Sequence, residues 1–393
     1  MGKKIIPYGK QDIDQVDIDA VIETLKSDYL TQGPKILEFE EAFAKYVGSK
    51  YAVAVSNGTA GLHLGAMALN VKEGQKVITT PITFAASGNG VRYCGAEVEF
   101  ADIDPETYLI DIEQVKRLLE NAPKGTYAGI VPVNFAGRVV NLEKLRAIAD
   151  EYNLWIMEDA CHAPGGYFVD SKGEKQSAGN GNYAELTVFS FHPVKHIACG
   201  EGGMVTTSDP QIYKSLMELR THGIVKNEDL FTNSIETAQG ANGNYPGWYM
   251  EMQNLGYNYR LTDIQATLGI TQLAKADKGL DRRREIARVY SDSFSGENGL
   301  LGHSGVVEGH AYHLYIVEVE DRLGLYEFLR EKGIYAQVHY VPMHLMPFYK
   351  KEGVSFEKSE SYYSRCLSLP MYPTLDNEDQ NFVINCVKEF LNG

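Results

Sequence analysis

No run in this chain approaches ~18 uninterrupted apolar residues, so the sequence offers no candidate membrane span. It also lacks any lysine–arginine block, and its net charge is −15 over 393 residues. Nucleic acid and anionic membrane are therefore poor partners, because both demand a concentrated positive face. An anionic substrate would need local cations that override the global field. Cysteine is scarce: there are five, at 94, 161, 199, 366 and 386, with no C-x-x-C spacing. That argues against a zinc site and for reduced thiols in a cytoplasm. The first ten residues hold three lysines and no apolar core of signal-peptide length. There is no internal repeat, no low-complexity tract, and no G-x-G-x-x-G after the first expected strand, which argues against a nicotinamide-binding turn.

What is present is an ordinary globular balance, 44% hydrophobic and 23% charged. The length suits two domains, or one large and one small. Strands are expected at Tyr51–Val55, Lys76–Thr80, Glu97–Ala101, Gly129–Val133, Leu154–Met157, Leu186–Phe189 and Met204–Thr207. Helical patterns such as Gly61–Leu69, Ile112–Glu120 and Leu142–Tyr152 lie between them. This alternation predicts an α/β fold with a mainly parallel sheet covered on both faces. Residues 226–249, rich in Asn, Gly, Thr and Glu, read as a long loop. Helices follow over Leu261–Ala274 and Lys278–Phe294. A smaller unit is then expected: a strand over Tyr312–Val319, a helix over Arg322–Lys332, a second strand over Tyr335–Tyr340, and a closing helix over Asp379–Leu391. The division is placed at 1–275 and 276–393.

In such sheets ligands gather at the carboxyl ends of the strands, and four strand ends carry chemistry. Lys195, in Ser190-Phe191-His192-Pro193-Val194-Lys195, follows an apolar strand and precedes a glycine-rich turn, Gly200–Gly203. Desolvation favours a neutral amine, and a neutral amine attacks aldehydes. Pyridoxal phosphate (PLP) is one such aldehyde. It needs a carboxylate at its pyridine nitrogen, a helix N-terminus at its phosphate and a flat side chain on its ring. Asp159 of Glu158-Asp159 meets the first need, since strand alternation leaves only one of the two carboxylates for the site; a helix-capping aspartate is the plainer reading. Ser56-Asn57-Gly58-Thr59-Ala60 meets the second, or is an ordinary capped turn. Phe84 meets the third, or belongs to the core. His162 is placed to reach the cofactor's 3-oxygen, and Ser190 to add a hydroxyl at the phosphate.

Together these pieces resemble the DegT/DnrJ/EryC1/StrS family of PLP-dependent sugar aminotransferases, of the aspartate-aminotransferase fold (fold type I). The resemblance runs nearly the whole chain. Besides the stretches above it includes Leu30-Thr31-Gln32-Gly33-Pro34, Thr80–Phe84, Glu158–Ala163 and Gly256-Tyr257-Asn258-Tyr259-Arg260-Leu261-Thr262-Asp263. It implies Lys195 as Schiff-base lysine and proton carrier and Asp159 at the pyridine nitrogen. Gly58, Thr59, Ala60 and Ser190 would lie at the phosphate, and Asn258 would reach the phosphate of a neighbouring subunit, making a homodimer with shared sites. Tyr8, Thr31, His313 and His339 are expected to face the substrate, with Arg220, Lys226 and Arg260 as candidate cations for its diphosphate.

Within the family, Gln11, the Phe189–Lys195 stretch, Arg220–Ile224, Trp248-Tyr249 and Gln337–Tyr340 look most like the pseudaminic acid branch. That implies a C4 aminotransferase moving nitrogen from L-glutamate, with release of 2-oxoglutarate, to a UDP-linked 4-keto-6-deoxy-N-acetylhexosamine. Enzymes of bacillosamine-like pathways are the neighbouring alternative. Dehydratases of the same fold replace the lysine by histidine, whereas position 195 here is lysine. A non-catalytic regulator of this fold is opposed by the intact lysine–aspartate–phosphate set. Two departures stand out: Ala198-Cys199 where relatives often carry Thr-Thr, and Ala163-Pro164 in place of Ala-Leu.

Overall fold

The structure is a computed structural model, and it describes residues 5–393; residues 1–4 of the lysine-bearing N-terminus lie outside the described residues. Short, β-branched-rich runs bounded by turns form seven strands. These are β1 (Tyr51–Val55), β2 (Lys76–Thr79), β3 (Glu97–Phe100), β4 (Tyr127–Val131), β5 (Trp155–Asp159), β6 (Leu186–Ser190) and β7 (Gly203–Thr207). They make one sheet in the order β1-β7-β6-β5-β4-β2-β3. All neighbours from β6 across to β3 run parallel, and β7 alone runs antiparallel to both β6 and β1. The expected mainly parallel sheet is therefore found, with β5 and β6 at its centre.

Helix Gly58–Ala68 lies directly on this sheet. A Cβ on Gly61 would meet Val188 Cγ1 at 2.8 Å, and one on Gly65 would meet Met157 Sδ at 2.8 Å. Two glycines on one helix face thus set a close approach, which fixes the helix N-terminus beside the ends of β5 and β6.

The N-terminal helices Gln15–Leu25 and Pro34–Val47 pack on helix Asp263–Ala274. Buried Asp263 accepts from Gly33 N at 2.8 Å and Lys35 N at 3.0 Å, so it tethers the segment that carries Thr31. Asp17, also buried, receives Gln272 Nε2 at 3.0 Å and Lys275 Nζ at 2.6 Å. Residues 226–249 form an irregular segment with one 3-10 turn, Glu228–Leu230, as expected of a long loop.

The last part of the chain carries a second, antiparallel sheet of Leu300–His303, Tyr315–Val319 and Cys366–Leu369. Its core includes Ile286, Ala287, Tyr290 and Phe294 of helix Ala276–Phe294. The expected strand over Tyr335–Tyr340 is corrected. Only Ile334–Tyr335 is strand, and it pairs in parallel with Ile6–Pro7, while Gln337 makes a single bridge to Ser368. Beyond it the backbone serves other partners: Tyr362 OH donates to His339 O at 2.8 Å.

The two sheets are joined by backbone. Ala311 N donates to Gly137 O at 2.8 Å and Leu314 N to Ala136 O at 3.1 Å. Gly137 has φ +101, and a Cβ there would meet Tyr312 N at 2.8 Å, so the junction requires glycine.

Arg220 is not a free cation for substrate. It is buried in an ion pair with Glu40, and it also donates to Ala54 O at 2.7 Å while Glu40 accepts from Ala54 N at 2.8 Å. Removing one member strands a buried charge. Arg220→Met should therefore destabilise the fold by about 3–5 kcal/mol, read as a lowered denaturant midpoint; an unchanged midpoint would show that Glu40 relaxes into solvent.

Candidate active site

At the end of β5 the alternation of a strand separates two adjacent carboxylates. Glu158 turns into the protein, where Asn134 Nδ2 donates at 2.6 Å, Thr187 Oγ1 at 2.7 Å and Gly179 N at 3.0 Å. Complete burial raises its pKa against the pull of these donors. Asp159 takes the other face. Ser87 Oγ donates to its Oδ2 at 2.6 Å and Cys161 N to its Oδ1 at 3.1 Å.

Lys195 lies in the turn after β6, with its amide on His192 O at 2.8 Å. Its amine is desolvated, and this brings its pKa down to about 8. Cys161 and Asp159 pull it back upward, and Arg283 pushes it further down. Its Nζ lies 3.3 Å from His313 Nε2. Four histidines surround it. Burial first, and then nearby positive charge, pushes His162, His196 and His313 well below the ordinary range, and His339 to about 3. All four are neutral imidazoles at pH 7. Ala136 N donates to His162 Nδ1 at 3.3 Å, so the ring proton sits on Nε2, which faces Tyr340 OH at 3.3 Å.

The opposite end of the site is the N-terminus of helix Gly58–Ala68. Asn57 caps it, with Oδ1 accepting from Ala60 N at 2.8 Å. The Ala60 amide is thus taken, and among the described residues the unpaired first-turn amides are those of Gly58 and Thr59. A Cβ on Gly58 would lie 3.1 Å from Ser190 Cβ and 3.3 Å from Cys161 Sγ, so the bare glycine keeps a cradle open beside the Ser190 hydroxyl. Such an end, with its free N–H groups and dipole, takes an anion.

A wall of rings completes the site. Tyr8 and His339 lie 5.3 Å apart between centroids, and Phe84, 62% exposed, lies 6.1 Å from Tyr340. The expectations for Lys195, Asp159, His162, Ser190, Gly58, Thr59 and Phe84 converge on this place, as do Tyr8 and His339. His313 is buried against Lys195 and His162. Thr31, Asn258 and Lys226 are exposed and do not join this group within one chain. Sequence reasoning missed Ser87, Tyr340 and Arg283. Ser87 was readable as a hydroxyl four residues after Thr83, which it meets at 2.7 Å. Arg283 was readable as a charge three residues after Leu280 on an otherwise apolar helix stripe.

These groups fit an aldehyde cofactor that carries a ring nitrogen and a phosphate: an amine poised near neutrality, a carboxylate, an anion cradle and an exposed ring face. Known proteins agree. The DegT/DnrJ/EryC1/StrS aminotransferase family matches residues 11–388. A UDP-4-amino-4,6-dideoxy-N-acetyl-beta-L-altrosamine transaminase of Campylobacter jejuni is 36% identical over 388 residues, covering 96% of each chain. PseC of Helicobacter pylori, an aminotransferase involved in the biosynthesis of pseudoaminic acid, superposes with a TM-score of 0.86 at 28% identity, over 99% of this chain and 100% of that one. The PLP form of Spr1654 from Streptococcus pneumoniae superposes with a TM-score of 0.85 at 27% identity, over 99% of each chain.

Asn can replace Asp159 with its Ser87 and Cys161 neighbours intact, so Asp159→Asn isolates the charge. The variant should still bind PLP while kcat falls about 10²–10³-fold, the magnitude expected for one lost electrostatic stabiliser. Steady-state kinetics beside a cofactor-binding titration would check it.

Proposed function

We propose that this chain, which belongs to the DegT/DnrJ/EryC1/StrS aminotransferase family and is a PLP-dependent sugar aminotransferase, takes nitrogen from L-glutamate and delivers it to C4 of a UDP-linked 4-keto-6-deoxy-N-acetylhexosamine in pseudaminic acid biosynthesis. The observation that carries the reading is the desolvated Lys195 amine set between Asp159 and His313. The substrate assignment is supported by the altrosamine transaminase relative and by PseC.

PLP, when bound, supplies an aldehyde that exchanges amines and a ring that accepts electrons from a broken C–H bond. The protein's residues do the rest. Lys195 Nζ takes the proton from the donor's α carbon and returns it, which requires the uncharged amine that burial favours. Asp159 holds a negative charge for the ring nitrogen, and Ser87 Oγ keeps that carboxylate aimed. His162 presents an Nε2 proton because Ala136 occupies its Nδ1. The Gly58 and Thr59 amides and the Ser190 hydroxyl hold the phosphate, with Phe84 against the ring. Lys226 and Arg260 remain for the sugar nucleotide's diphosphate.

The active unit in this reading is a homodimer that shares its sites. Its support is an apolar surface on each chain, including Val16 at 67% exposure, Trp248 at 67% and Leu255 at 71%, together with the outward position of Asn258. Residues 1–275 would hold the cofactor, and 276–393 would close over it. A cytoplasmic setting is part of the same reading, supported by five unpaired thiols.

Two outcomes are expected. On adding L-glutamate, the absorption band of the lysine-bound cofactor should disappear in wild type, and Lys195→Ala should never form it; a band that glutamate leaves unchanged would remove glutamate as donor. Mixing inactive Lys195→Ala and Asn258→Asp variants under subunit exchange should restore about a quarter of wild-type activity, because half the dimers then carry one intact site. No recovery would place each site within one chain.

A further inference from the structure

Arg283 is 1% exposed, in the middle of helix Ala276–Phe294, and no carboxylate among the described residues pairs with it. Desolvation lowers its own pKa only to about 10, so it stays charged. A buried, unpaired guanidinium is costly, and an apolar side chain of similar shape is often tolerated or favoured in such a place. Its retention therefore calls for a task.

The geometry supplies one. Arg283 Nη1 donates to three backbone carbonyls, Met371 at 2.9 Å, Tyr312 at 3.1 Å and His313 at 3.4 Å. Tyr312 holds φ +47, a strained value for tyrosine, so this segment needs an external clamp. The next residue, His313, has its Nε2 3.3 Å from the Lys195 amine.

We propose that Arg283 is a positioning residue for the reaction: it clamps residues 312–313 so that His313 meets the free Lys195 amine, and it sets a fixed positive charge behind that amine. The proposal rests on the reading of Lys195 as the reactive lysine. Lys195 is faced by Asp159 and Cys161 from the end of β5, by His162 and His196 from the neighbouring turns, by His313 and His339 from the far segments, and by Arg283 from the helix. The four histidines are neutral at pH 7, so Arg283 is the one permanent cation in this set. It opposes Asp159, and it acts in the same direction on His196 and His313. Below about pH 8 the amine carries its proton, and above it the amine is free. Removing the Arg283 charge should move that midpoint upward.

The test is competitive labelling of the amines with acetic anhydride across pH, read at the Lys195 peptide by mass spectrometry. It is done on full-length enzyme after exhaustive treatment with L-glutamate, when the lysine is released. Arg283→Gln can still donate to the carbonyls but has no charge. It should raise the Lys195 midpoint, and the free amine at pH 7 should fall accordingly, about tenfold per unit of rise. Arg283→Lys restores the charge and should restore the wild-type midpoint. An Arg283→Gln midpoint equal to wild type overturns the proposal, as does an Arg283→Lys midpoint shifted as far as that of Gln. Should Arg283→Gln fail to fold, Arg283→Met, neutral and of similar length, takes its place: a raised midpoint supports the proposal and a wild-type one overturns it. Borohydride reduction of the PLP-loaded enzyme with peptide mapping separates the two readings, since a cofactor fixed on another lysine defeats the assignment of Lys195 itself.

Discussion

The site hangs from the last two residues of β5, where a two-residue period divides two carboxylates. Glu158 is consumed by the fold: it holds Asn134, Thr187 and the Gly179 amide, and so ties β5 to the turn after β4 and to β6. Asp159 is left on the opposite face, with Ser87 and the Cys161 amide. A one-residue slip of β5 would exchange them, burying Asp159 among donors built for a longer side chain and sending Glu158 toward Lys195. The register Asp159↔Val188 against β6 is therefore a chemical constraint as much as a structural one. The Asn134 that Glu158 holds also opens the 135–137 turn, which in turn presents Ala136 N to His162 and Gly137 O to Ala311.

Burial is the second constraint, and it acts with opposite sign on different groups. The same desolvation that frees the Lys195 amine raises Glu158 and the Cys161 thiol and lowers four histidines. A neutral histidine cluster beside an amine adds hydrogen-bonding atoms without adding charge, so Lys195 is set first by desolvation and then by Cys161, Asp159 and Arg283.

Much of this was legible before the structure, and the reason is local. Strands β1 to β7 are short apolar runs with turn residues at their ends, and the candidate site residues lie at or just past those ends. Lys195, Asp159, His162 and Ser190 could thus be placed by their distance from a strand. The failures were tertiary. Tyr-Ala-Gln-Val-His-Tyr at 335–340 alternates like a strand, yet its backbone is held by Ser368 and Tyr362 while Tyr340 packs on Phe135 and meets His162. Arg283 was passed over as one of three consecutive arginines in a charged helix, although its place three residues after Leu280 on the apolar stripe set it apart, as its burial beside two partly exposed neighbours bears out. One difference is local: Ala60, expected at the phosphate, has its amide on the Asn57 cap.

The contact between Lys195 and His313 spans 118 residues of sequence. Tyr8 is older on the chain than either, and His339, which meets it, is later still. All seven strands of the large sheet lie before residue 208, whereas His313 and His339, which help enclose the amine, come from the last part of the chain, held at the 135–137 turn by Ala311 and Leu314. The low-lying pKa of the Lys195 amine is thus a product of contacts that join distant parts of the chain.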